Sequence, residues 1–144
     1  MKLNDIIDLW NVDSKIDRYN LVEESLKIPL LHSKYYQIYM NEKHVLIREQ
    51  ENLKNYEMAK SIYYQGKMDI QDLKARGWLP FGIQLPKTDI PKIVDADQDV
   101  INKKILISDQ LEKTKFVESI LQSIHQRSFN IKNAIDYERF QAGN

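Results

Sequence analysis

The chain has 144 residues, 29% of them charged and 42% hydrophobic, enough to bury a core as one domain and too polar for a membrane-embedded protein. No apolar run approaches the ~20 residues a bilayer span needs, and the first residues, "MKLNDIIDLW", carry acids inside their apolar stretch, unlike a secretory signal. Net charge is zero and cysteine is absent, which excludes disulfides and thiolate metal sites and counts against a nucleic-acid binder that relies on bulk basicity.

Glycine and proline punctuate the chain unevenly. Residues 1–65 contain no glycine and only Pro29, and residues 92–142 contain neither. The expected fold is therefore all-α, a single domain over 1–144. Helices over 1–66 and over 95–144 form two halves, joined by an irregular segment at 67–94.

The first element is a short amphipathic stretch at 3–10, using Leu3, Ile6, Ile7 and Trp10, with a polar break at "NVDSK". Leu21, Ile28, Leu31, Tyr35, Ile38 and Val45 then recur at sevens, threes and fours, the narrow seam of a bundle. Pro29 lacks an N–H and predicts a kink or break. The seam runs on through Leu46, Leu53, Tyr56 and Tyr63 to Gly66, a C-terminal stop. In the middle, one helical turn is expected at 69–75. An extended run with Trp78, Leu79, Phe81, Ile83 and Leu85 follows, too apolar to float in water. The second half opens at "DADQD", with Asp95 read as N-cap and Asp97 and Asp99 facing the positive helix end. Ile101, Ile105, Leu111, Val117, Ile120, Leu121 and Ile124 continue it to a bend near Ser128. The last segment has Phe129, Ile131, Ile135 and Phe140 on its apolar side. Two long helical halves cannot close a core as well as four helices can, so a homo-oligomer is expected.

Catalytic and metal signatures are missing. "DADQD" imitates a calcium loop, but Val100 and Leu106 stand where that loop requires Gly and Glu. His32, His44 and His125 fit no ligand spacing, and no phosphate-cradling glycine loop is present. No enzyme and no cofactor is inferred.

What remains is basic and aromatic. Around Lys60, Tyr56, Tyr63 and Tyr64 stand at helical-neighbour spacings, and Lys60, Lys67 and Lys74 recur every seven residues. Cations on phosphates and rings under bases are how single strands are held. The same spacing also describes tyrosines in a helix seam with lysines in water, as in a scaffolding oligomer without a nucleic-acid role.

Three segments, "AKSIYYQGKMD", "VDADQDV" and "RSFNIKNAIDYERFQAG", together resemble the UvsY family, the recombination mediators of T4-like phages. The resemblance implies a non-catalytic protein of the infected host's cytoplasm, a homo-oligomeric ring of about six or seven subunits. It further implies binding to single-stranded DNA, weakening of that DNA's complex with the phage single-strand-binding protein, and loading of a RecA-like recombinase. DNA contacts are expected at Lys60, Lys67, Tyr64, Lys54 and Arg48, with Tyr64 and Lys67 pointing outward. Oligomerisation is expected at Phe129, Ile131, Ile135 and Phe140. Met58 departs from the family's second basic residue before the Tyr-Tyr pair, and the apolar 78–91 segment departs from its more polar linker.

Overall fold

In the computed structural model, which describes residues 1–143, six helices follow one another: α1 (Leu3–Asp13), α2 (Leu21–Leu26), α3 (Ile28–Tyr64), α4 (Ile70–Arg76), α5 (Ile90–Ala96) and α6 (Gln98–Gln141). No strand occurs among the described residues. The chain divides into two compact units, Met1–His44 with residues from Leu111 onward, and Val45–Gln110.

Pro29 falls in the first turn of α3, where a missing N–H costs nothing, and the chain breaks just before it at Lys27. The helix then runs 37 residues without a breaker. It stops where Gly66 adopts φ +72°, its N–H bonded to the Tyr63 carbonyl and that of Lys67 to the Ile62 carbonyl. That double bond around a left-handed residue is the Schellman cap, which a Cβ would strain.

Two expectations about the second half are corrected. Asp95 lies inside α5 and caps nothing. The N-cap of α6 is Asp97, whose Oδ1 accepts the backbone N–H groups of Asp99 (2.9 Å) and Val100 (3.2 Å). Nor is the helix interrupted at Ser128. With no glycine or proline to interrupt it, α6 continues for 44 residues, and the Ser128 hydroxyl bonds back to the His125 carbonyl within the helix.

The core of the first unit is Ile6, Tyr35, Val117, Ile120 and Ile124, flanked by Trp10, Leu31 and Ile38, so α1 packs against α3 and α6. The Trp10 and Tyr35 rings meet edge-on at 5.2 Å. Buried Arg127 ties the irregular stretch after α1 to α6. It donates to the carbonyls of Asp13, Ser14 and Lys15, and to the Glu24 carboxylate at 2.9 Å. Ile131 is 2% exposed in this unit, so the inter-subunit contact expected of it is corrected to an intramolecular one. Ile135 is half-buried, whereas Phe129 and Phe140 are 62% and 75% exposed.

The core of the second unit is Ile90, Val94 and Val100, with Leu53, Tyr56, Tyr64 and Leu85 packed against it. Ile105, expected on the seam, is exposed.

Arg127→Ala strands three carbonyls and leaves the buried Glu24 carboxylate with Lys27 at 3.2 Å, and should lower unfolding free energy by about 3 kcal/mol. Arg127→Met with Glu24→Met should recover only the part owed to the carboxylate, since the three carbonyls still lack a donor, read from urea midpoints at unchanged slope.

Candidate nucleic-acid interface

The Tyr56–Tyr64 end of α3 carries the predicted basic–aromatic cluster, all of it within the second unit. Helical spacing sets Tyr56 one turn before Lys60 and Tyr63 and Tyr64 one turn after it. The Lys60 ammonium lies 5.7 Å from the Tyr56 ring centre and 5.6 Å from that of Tyr63. From the segment after α4, Trp78 closes over the ammonium at 4.2 Å. Its placement depends on Gly77, which ends α4 at φ +69° with a second Schellman pair, Gly77 to the Lys74 carbonyl and Trp78 to that of Leu73. Trp78 meets Tyr56 at 5.8 Å and Tyr63 at 5.2 Å, and Phe81 meets Tyr63 and Tyr64 at 5.6 and 5.1 Å. The apolar run therefore packs on α3 through Trp78 and Phe81 and on the Ile90–Val94–Val100 core through Leu85, leaving Leu79 and Ile83 exposed.

Lys60, expected to contact DNA, is only 5% exposed. Its ammonium pairs with Asp97 at 3.0 Å and with Asp99 at 3.4 Å. Tyr64, expected to point outward, is half-buried and donates its hydroxyl to Asp97 at 2.6 Å. Asp97 thus uses one carboxylate oxygen to cap α6 and the other to hold α3. Burial opposes ionisation at Asp97, but the hydrogen bonds from Tyr64, Lys60 and the Val100 N–H outweigh it and hold the carboxyl below its usual range. Burial likewise disfavours the charged Lys60, and Asp97 more than offsets it, raising the ammonium pKa. The Tyr64 phenol is pushed up by burial and by the adjacent Asp97 charge.

The three other predicted contacts stay apart from this cluster. Lys67 does not continue the Lys60 face, because α3 has ended, and the seven-residue recurrence with Lys74 is not a helical stripe. Lys67 instead borders an open cavity of about 400 Å³ with Phe81, Leu85 and Lys87. Lys54 is exposed and paired with Glu51 at 2.9 Å, and Arg48 is exposed. Neither the Asp97 tether nor the Trp78 lid was visible in the spacing around Lys60. Asp97 is 37 residues away, and the only sign of it was a dense run of carboxylates opening a helix.

A family profile described as "Recombination, repair and ssDNA binding protein UvsY" matches residues 9–144. The chain belongs to the UvsY family. Its fold is that of crystal structures of the bacteriophage T4 recombination mediator protein UvsY. In lattice type IV the TM-score is 0.82 at 23% identity, covering 97% of this chain and 99% of that one. In lattice type II it is 0.82 at 24% identity, covering 99% and 98%. No significant match occurs among curated protein sequences. UvsY membership places the basic–aromatic end of α3 in a chain whose family is described by recombination, repair and single-stranded DNA binding, and that description names no catalytic activity. No helix of the described residues is long and apolar enough to cross a membrane.

Asp97→Ala leaves a buried ammonium with only Asp99 and uncaps α6, so a loss of about 3–5 kcal/mol is expected. Asp97→Asn keeps the cap and should lose about 1 kcal/mol less. Because the folded-state Asp97 pKa is depressed, its contribution is present above the unfolded value near 3.9 and vanishes as pH falls through the lower folded value. Thermal midpoints of Asp97→Asn should therefore fall less steeply than wild type below about pH 4.

Proposed function

We propose that this chain is a recombination mediator that binds single-stranded DNA, destabilises its complex with a single-strand-binding protein and promotes loading of a RecA-like recombinase filament. It acts as a non-catalytic homo-oligomeric ring in the cytoplasm of the infected host. The observation that supports this reading is the cluster of three tyrosines, Trp78 and cations at the end of α3, in a chain matched over residues 9–144 to a single-strand-binding family. Zero net charge suits the role. Several moderate sites on one ring give avidity without extreme affinity per subunit, so a strand can be held and then handed over.

Among the expected strand contacts, exposed Lys67, Lys54 and Arg48 are proposed to meet phosphates directly. The Lys54–Glu51 pair is exposed and worth little, so it does not hinder this. Lys60 and Tyr64 are proposed to shape the surface, since contact with a strand by either requires its separation from Asp97. Exposed Phe129 and Phe140, with half-buried Ile135, are the proposed inter-subunit contacts.

Lys54→Ala with Lys67→Ala should flatten the salt dependence of binding to a labelled oligonucleotide by about 1.4 in log–log slope, at ~0.7 per phosphate contact. Wild-type protein with no length-dependent affinity for single strands would leave a scaffolding oligomer as the better description. Phe129→Ala with Phe140→Ala should give smaller species by native mass measurement, and an unchanged mass would remove those residues from the interface.

A further inference from the structure

We propose that Trp78 and Tyr56, with Arg76 and Lys103 over them, form a ledge on which one base of a single strand stacks while the two cations take its flanking phosphates. This rests on the single-strand-binding reading and adds residues to it. The two rings meet edge-on at 5.8 Å, and both are half-buried, so each is fixed by the protein and still reaches solvent. Trp78 is held from within by Lys60 and Tyr63. Little freedom is lost when a base settles on such a ring.

Each ring also carries an exposed cation. The Arg76 guanidinium lies 5.0 Å from the Trp78 ring centre, and the Lys103 ammonium lies 4.6 Å from that of Tyr56. Neither cation forms an ion pair among the described residues, whereas Lys54 and Lys104 are engaged with Glu51 and with Glu57 and Asp95. The charges support an anionic ligand. Lys60 against Asp97 and Asp99 sums to one negative charge, and Arg76 and Lys103 turn the cluster to one positive. The backbone is built to present the ring. Gly77 takes a left-handed turn that aims Trp78 back at α3, and no atom lies within 4 Å of where its Cβ would be. Conformation rather than crowding is what glycine supplies there. An acidic peptide could satisfy the cations but has no flat ring to lay on Trp78, which favours a nucleobase.

The test uses the full chain and an oligothymidylate, with binding followed by the anisotropy of a labelled strand. In Trp10→Phe, Trp78 is the remaining tryptophan, and its fluorescence should be quenched in step with the anisotropy rise. Should Trp10→Phe fold poorly, the quench in wild type should be lost in Trp78→Phe. Trp78→Ala should weaken binding about fivefold or more. Arg76→Gln and Lys103→Gln, both on the surface, should each flatten the salt slope by about 0.7 with an unchanged thermal midpoint. Wild-type binding with no Trp78 quench and unaltered slopes in both charge variants would overturn the ledge and leave the DNA-binding reading standing. No wild-type binding at all would overturn both. A poly-glutamate peptide that quenches Trp78 when the oligothymidylate does not would assign the ledge to an acidic partner and sink the proposal.

Discussion

A lysine removed from water has to be given an anion, and in the second unit nearly everything is arranged around that requirement. Lys60 on α3 faces Asp97 at the start of α6, 37 residues away in sequence. The bond does not stand alone, because Tyr64 shares the same carboxylate oxygen and the helix N-terminus takes the other. An isolated buried pair is poor value against an apolar substitute. Here the carboxylate also satisfies donors of the α6 N-terminus that have no partner within the helix. The first unit repeats the device with Arg127, which binds Glu24 and three backbone carbonyls that lie outside any helix ladder. In both units a single charged side chain organises segments that hydrophobic contact alone leaves underspecified.

Much of the fold was legible because helices obey local rules. The seam residues Leu21, Tyr35 and Leu46 are buried, and Gly66 and Pro29 act at the boundary positions their backbones dictate. Asp95 and Asp97 could not be told apart in this way. Both are aspartates ahead of an apolar run, and the choice is made by Lys60 and Tyr64 from another part of the chain. The separate last segment expected after Ser128 did not form for a related reason: serine weakens a helix only slightly, and packing of Ile124 and Ile131 on either side overrides it. The seven-residue spacing of Lys60, Lys67 and Lys74 carried no helical meaning once Gly66 had turned the chain.

At the candidate interface the sequence identified the element but misread its exposure. Periodicity places Lys60 among tyrosines and says nothing of what covers them. The cover comes from Trp78, across a glycine whose effect is conformational and whose target is non-local. The apolar 78–85 stretch, unusual for a connection, is explained by this packing for Trp78 and Phe81 and by the core of the unit for Leu85, though not for Leu79 and Ile83, which stay exposed. The fold is shared with the T4 mediator at 23% identity, so the helices persist while most residues differ.

The tether on Lys60 bears on how binding to this protein depends on salt. Affinity for a polyanion is gained largely by liberating the small cations condensed around its phosphates. A lysine that brings net positive charge to a phosphate displaces them. Lys60 is already neutralised by Asp97, which is covalently part of the chain. Exchanging Asp97 for a phosphate oxygen leaves a bare carboxylate beside the strand, so the pair brings no net positive charge to it. The cations that contribute are those not buried against an internal acid, so the ionic-strength response of this surface reports fewer positive charges than it contains.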